Sequence, residues 1–170
     1  ANPISASAEL TFTSLAIALV IAIPLGILAA RRAGSTADLA AGGLAVLGAS
    51  IPVFWLGPLL IILFSIDLEW LPVSGRSGPL SLILPSLTLG AALSSILMRM
   101  TRSSILDVLP QDYLATARAK GLSERRVLWL HALSNAGLPL ITILSLQLGA
   151  LLSGAIITET VFAWPGAGRL

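Results

Sequence analysis

The chain has 170 residues, 56% of them hydrophobic and only 11% charged, with no cysteine and a formal net charge of +2. Soluble domains carry about 25% charged residues because charge must cover their surface, so a mean hydropathy of +0.95 excludes an ordinary soluble domain and makes lipid the natural solvent. The same figures exclude a disulfide framework, a thiolate nucleophile and a Cys-rich zinc site, and a nucleic-acid footprint unless the basic residues gather on one surface.

The chain opens with ANPISASAE, which has no initiator Met and no basic region ahead of an apolar core, so it does not read as a signal peptide. Together with an end at Gly168-Arg169-Leu170, just past a turn-like run, this leads us to expect a piece of a longer protein. Crossing a bilayer core of about 30 Å takes roughly 20 apolar residues in a helix. Four segments meet or approach that length: residues 10–30, 39–64, 82–100 and 136–158. None has an ionisable residue near its middle, and all are apolar around the whole circumference. A soluble protein of this size has no core large enough to hide them. The expected fold class is therefore all-α, a polytopic transmembrane helical bundle with four spans.

Proline recurs inside these spans, at Pro24, Pro52, Pro58, Pro85 and Pro139. Each removes a backbone donor, which a packed bundle tolerates better than an isolated anchor does. Gly42, Gly43, Gly48, Gly90, Gly149 and Gly154 are expected to let helix backbones approach closely.

Orientation follows from the arginines. Arg31 and Arg32 follow the first span, and Arg99, Arg102, Arg118, Lys120, Arg125 and Arg126 lie between the third and the fourth, so eight of the ten Lys and Arg fall on one side. Short loops rich in Lys and Arg stay in the cytoplasm, which makes that side the inner one. The other side holds Arg76 and Arg169 against Glu9, Asp67, Glu69 and Glu159. Trp70 and Trp164 also fall there, at the boundary that amphipathic rings prefer.

The polar stretch 101–135 reads as helical. Pro110 marks a break, Gln111-Asp112 supplies a cap, residues 113–120 (YLATARAK) are strong helix formers, and Gly121 provides a stop. Ser123 then caps a second helix that carries Glu124, Arg125, Arg126, Trp129 and His131 towards the last span. Leu114, Ala115, Ala117 and Ala119 are expected to form a low-relief surface edged by Arg118 and Lys120, a knob that fits a groove on a soluble partner.

The run DYLATARAKGLSERRVLWLHALSNAGLP, residues 112–139, resembles the EAA loop of binding-protein-dependent ABC import permeases, most closely the dipeptide, oligopeptide, glutathione and nickel group. Ala115, Ala117 and Gly121 occupy the E-A-A-x-x-x-G frame, with Ala115 where many relatives have Glu. Leu138-Pro139 falls five residues later than the family's general Leu-Pro, as in the peptide group. The stretches IPLGILAARR, IPVFWLG, LEWLPVSG, ILPSLTLG and ETVFAWPGAGRL extend the resemblance from about residue 8 to the end.

The resemblance implies a MetI-like permease in the cytoplasmic (inner) membrane of a prokaryote. Such a protein normally has six spans, of which the first and last are expected to be missing here, and residues 1–170 form one permease domain with the coupling loop at 101–135. The implied partners are a second permease subunit, two cytoplasmic ATP-binding subunits, an extracytoplasmic solute-binding protein and membrane lipid, with no nucleic acid. The implied cargo is a peptide, glutathione, nickel or a similar small solute. Coupling to the ATPases falls by position on Tyr113, Ala115, Ala117, Arg118, Ala119, Lys120 and Gly121.

The chain has no G-x-x-x-x-G-K-[ST] stretch, so it is expected to be a transport subunit and not an enzyme, with ATP and Mg bound by a partner. An ion-coupled carrier is the rival reading, but such carriers place ionisable residues near the midplane. His131 lacks neighbours at metal-ligand spacing and reads as a helix-surface or interface residue. Ser103, Ser104 and Ser123 lack an adjacent base and read as caps and polar loop groups. Gln147, within the last span, either lines a solute path or forms a helix-to-helix hydrogen bond. Asp67, Glu69 and Arg76 face either a binding protein or water.

Overall fold

The computed structural model describes residues 3–169, except the side chains of 152–154 and 169. Helix α1 spans Pro3–Arg31 and α2 Thr36–Ser50. Helix α3, Val53–Ile61, runs on as a π-helical segment, Ile62–Asp67. A 3-10 turn, Pro79–Leu82, leads into α4, Ile83–Val108, and the short α5 is Asp112–Ala119. One turn of α6, Glu124–Arg126, passes through a π segment, Val127–Ala132, into α7, Leu133–Val161. There is no strand among the described residues.

Among the described residues, three helical stretches are long and apolar enough to cross a membrane: Pro3–Arg31, Pro79–Val108 and Glu124–Leu151. The second expected span, 39–64, is not one helix but the pair α2 and α3, bent by 100° at their junction, and counted as one broken span it makes the fourth crossing. Pro52 is the cause. It forces Ile51 into an extended conformation (φ −85°, ψ 116°) and stands as the N-cap of α3. The other prolines leave their helices unbroken. Pro85 sits in the first turn of α4, where no N–H is needed, while Pro24, Pro58 and Pro139 lie inside α1, α3 and α7.

Lipid offers no hydrophobic drive for helix association, so close packing and interhelical hydrogen bonds hold the bundle. Helices α1 and α4 run parallel and touch at two glycines. A Cβ on Gly26 would fall 2.6 Å from Thr101 Cβ, and one on Gly90 would fall 3.0 Å from the Ser14 carbonyl oxygen. Between them, Leu10, Ala18 and Ala22 interleave with Leu89, Leu93, Leu97 and Met98, and the Thr13 and Ser86 hydroxyls meet at 2.8 Å. Gly48 abuts the Ser95 hydroxyl, which brings α2 onto α4. A Cβ added at Gly42, Gly43 or Gly149 would meet nothing within 4 Å among the described residues, so none of the three is placed where a neighbouring helix requires glycine. Gly154 lies outside the residues whose surroundings are described.

The two ends carry the residues that the charge count separates. At one end Glu159 is buried, accepts hydrogen bonds from the Ser7 hydroxyl and, at 2.8 Å, from the Gly168 N–H, and leaves no room for a side chain at position 166. Trp164 is also buried, only 1% exposed, with its indole N–H donated to the Ala6 carbonyl at 3.0 Å. It is a core residue at that end and not a ring in the lipid interface, whereas Trp70 is exposed. Arg76 pairs with Glu9 and lies 5.7 Å over the Trp164 ring, so it faces neither water alone nor a free surface. At the opposite end Arg102 pairs with Asp38, and Arg118 with Glu124.

Candidate functional site

The stretch expected as a loop, 101–135, begins as two more turns of α4, so Ser103 and Ser104 are helix residues and not caps. The chain leaves the helix at Leu109 and Pro110 and re-enters at α5. Neither Gln111 nor Ser123 caps with its side chain, although both stand at N-cap positions with extended backbone. The first turns are closed by backbone bonds, Leu114 N–H to Gln111 O at 3.0 Å and Val127 N–H to Ser123 O at 3.0 Å.

Gly121 ends α5 at φ +79°, a left-handed conformation that side chains with a Cβ resist. The Gly121 N–H reaches the Arg118 carbonyl at 2.9 Å and the Leu122 N–H the Ala117 carbonyl at 3.3 Å. This is the paired bonding of a Schellman cap, and Leu122 packs into the same cluster as Ala117, as that cap favours. The Arg118 guanidinium then reaches across the corner to Glu124, Nε to Oε2 at 3.1 Å and Nη2 to Oε1 at 3.2 Å. That hydrogen bond raises the guanidinium's pKa above its ordinary value. The corner is held twice, by backbone and by charge.

Two of the four residues expected to form a low-relief outer surface face the other way. Leu114 is 0% exposed and Ala117 is buried, both packed into a cluster with Ile27 and Ala30 of α1, Ile105 of α4, and Val127, Leu128 and Ala132 of the ascending helix. An eight-residue helix cannot hold itself up in water, so α5 spends one face on its own bundle. Tyr113, Ala115, Arg118, Ala119, Lys120 and Gly121 remain exposed. The outward face is therefore a tyrosine, two alanines and two cations, seated on an apolar anchor that spacing alone did not single out. Sequence reasoning also missed Glu124 as the partner of Arg118, because a pair six residues apart across a glycine corner follows no helical periodicity.

Gln147 stands apart from this element, half-buried on α7. It lines a cavity of about 180 Å³ with Val53 of α3, Leu89, Leu93 and Ile96 of α4, and Leu151. Its amide makes no hydrogen bond among the described residues, so no helix-to-helix bond is made among them. His131 sits in the π segment, half-buried. No group of three or more potential metal ligands occurs among the described residues.

Residues 22–170 match the family described as the inner membrane component of binding-protein-dependent transport systems. The chain belongs to that family. Among inner membrane components with curated names, it is 44% identical to the dipeptide transport system permease protein DppB of Escherichia coli (strain K12), over 96% of this chain and 58% of that protein. It is 50% identical to the glutathione transport system permease protein GsiC of Salmonella choleraesuis (strain SC-B67), over 95% of this chain and 53% of that protein. The chain thus spans little more than half the length of these relatives. The fold is shared with a chain of the inward-facing MetNI methionine ABC transporter, at a TM-score of 0.76 and 22% identity over 98% of this chain and 76% of that one.

Proposed function

We propose that this inner membrane component forms most of the membrane-spanning permease subunit of an ATP-driven importer for peptides or similar small solutes, glutathione among them. The observation that carries the reading is the mounting of α5. An exposed helix, anchored through Leu114 and Ala117 and fixed to the ascending helix at Gly121 and Arg118–Glu124, is what a cytoplasmic motor needs to push on. Displacement of such a unit moves α7 with it, and α7 carries Gln147 beside its cavity.

In this reading the chain performs no covalent chemistry. Two cytoplasmic ATP-binding subunits hold ATP and Mg, a second permease subunit completes the passage, and an extracytoplasmic solute-binding protein delivers cargo. Tyr113, Ala115, Arg118, Ala119 and Lys120 touch the ATPases, while Ala117 and Gly121 shape the helix that presents them. The identity to peptide and glutathione permeases supports that solute class. The test is uptake into vesicles holding the full-length permease with its ATPase subunits and binding protein. Uptake of a dipeptide or of glutathione is expected to require ATP inside the cytoplasmic-facing compartment and to stop when the ATPase is omitted. Uptake driven by an ion gradient without the ATPase would overturn the proposal.

A further inference from the structure

Four of the cations at the inner end differ in how they are used. Arg102 and Arg118 are paired with Asp38 and Glu124. Arg125 and Arg126 are exposed and have no carboxylate partner among the described residues. With Ser123, Trp129 and Leu130 they line an open groove of about 330 Å³. The Ser123 hydroxyl and the Trp129 indole N–H have no hydrogen-bond partner among the described residues either. The residues that line this largely apolar groove carry two guanidiniums, an indole N–H and a hydroxyl, with no acid among them. Its chemistry asks for a ligand rich in acceptor oxygens.

The level of the groove in the bundle narrows the source. Val127 and Leu128 pack against Ile27, Ala30 and Ile105, and one turn further on Leu133 shares a cavity with Ile23 and Thr101. The groove therefore lies level with Arg31 and Arg102, where α1 and α4 pass from apolar to charged sequence. That transition marks the headgroup layer of a membrane, and exposed tryptophan belongs there. Trp129 is 44% and Leu130 58% exposed, and farther up the same helix Leu138 is 75% exposed. An acidic protein surface would match the guanidiniums but leave these apolar side chains without a covering. A lipid matches both, its phosphate on the donors and its acyl chain along Leu130 and Leu138.

We infer that Arg125, Arg126 and Trp129 form a binding site for the phosphate of an anionic phospholipid in the cytoplasmic leaflet. The site requires membrane insertion but not any particular cargo, so it goes beyond the transport reading. Basic residues at a membrane surface each contribute about a fivefold preference for anionic lipid.

The full-length permease, in its complex, is reconstituted in nanodiscs of phosphatidylcholine with phosphatidylglycerol, and retained lipid is titrated by native mass spectrometry. The double variant Arg125→Gln/Arg126→Gln is expected to weaken the tightest phosphatidylglycerol site by roughly twentyfold, and Arg32→Gln, outside the groove, to leave it unchanged. A photo-crosslinking residue at Leu130 in the otherwise unaltered protein is expected to capture lipid, which keeps the inference testable if the double variant fails to insert. Equal retention of phosphatidylglycerol by the double variant, no preference over phosphatidylcholine, or crosslinks to an ATPase or second permease subunit in place of lipid would each overturn it. Uptake is not read in these measurements, so their failure leaves the transport reading standing.

Discussion

Arg102 grips Asp38 through two parallel hydrogen bonds, Nε to Oδ1 at 2.6 Å and Nη2 to Oδ2 at 2.7 Å. The same carboxylate accepts the Gly34 N–H at 2.9 Å, and the Asp38 N–H is capped by the Ser35 hydroxyl at 3.4 Å. One acid thereby ties the turn after α1 and the start of α2 to α4. Because Asp38 is buried while Arg102 is partly exposed, the two partners are not equivalent. Arg102→Ala leaves an uncompensated buried carboxylate and is expected to lower the thermal unfolding midpoint of the detergent-purified protein more than Asp38→Asn does. The double variant should recover part of the loss. Strictly additive midpoints would show that the pair does not couple.

The glycines of this chain are expected to separate into two groups. At Gly26 an added Cβ meets Thr101 Cβ at 2.6 Å and the Met98 carbonyl at 2.9 Å, so Gly26→Ala should push α1 off α4 and cost about 1–3 kcal/mol. At Gly42 nothing stands within 4 Å, and alanine there should be neutral or stabilise by up to about 1 kcal/mol through helix propensity. Unfolding of both variants in mixed micelles decides the matter, and a clear loss at Gly42 would place a second protein against α2.

Thr101 carries the methyl and Cβ that would meet a Cβ at Gly26, yet its buried hydroxyl has no hydrogen-bond partner among the described residues. Valine preserves the shape and removes the orphaned oxygen. Thr101→Val is accordingly expected to stabilise the bundle by about 1–3 kcal/mol in the same assay. Destabilisation would mean that a water bonds the hydroxyl from the cavity that Thr101 shares with Leu133 and Gly137.

At Gly121 space is not the constraint, since nothing lies within 4 Å of an added Cβ, but φ is +79°. Asparagine tolerates that conformation and valine does not. In reconstituted complexes Gly121→Val should break the proportion between ATP hydrolysed and solute taken up, with the permease still inserted, whereas Gly121→Asn should retain most of it. Equal behaviour of the two variants would remove the backbone corner from the coupling path.

Arg118 and Glu124 are both well exposed, so their pair contributes at most about 1 kcal/mol to stability. Its expected effect is on geometry. Arg118→Glu and Glu124→Arg singly should reduce uptake per ATP hydrolysed, and the exchanged pair should restore part of it. An exchanged pair no better than either single variant would mean that Arg118 acts through the ATPase surface alone.

Much of this molecule is readable in one dimension because lipid makes local rules stringent. A helix in a bilayer has to satisfy its own backbone, so the runs 10–30, 82–100 and 136–158 announce their spans by length and apolarity, and the arginines after the first and third announce that one end of the bundle is the basic one. Gly121 is legible for a similar reason: a left-handed corner after a run of helix formers has few other solutions. The same local rules mark Pro52 as a disturbance. They do not say that α2 and α3 part by 100° there while Pro24 and Pro139 leave their helices intact.

Relations between distant segments had no such trace. Ser7 and Glu159 stand 152 positions apart and meet only because α1 and α7 end at the same face. Leu114 and Ala117 look no different from Ala115 and Ala119 along the chain, and only the arrival of Ile27, Ile105 and Val127 on one side makes the first two an anchor and leaves the other two to solvent. Backbone preference and solvent transfer act residue by residue, and so they can be read from order alone. Side-chain contact depends on the positions of whole helices relative to each other, and those exist only once the bundle has packed.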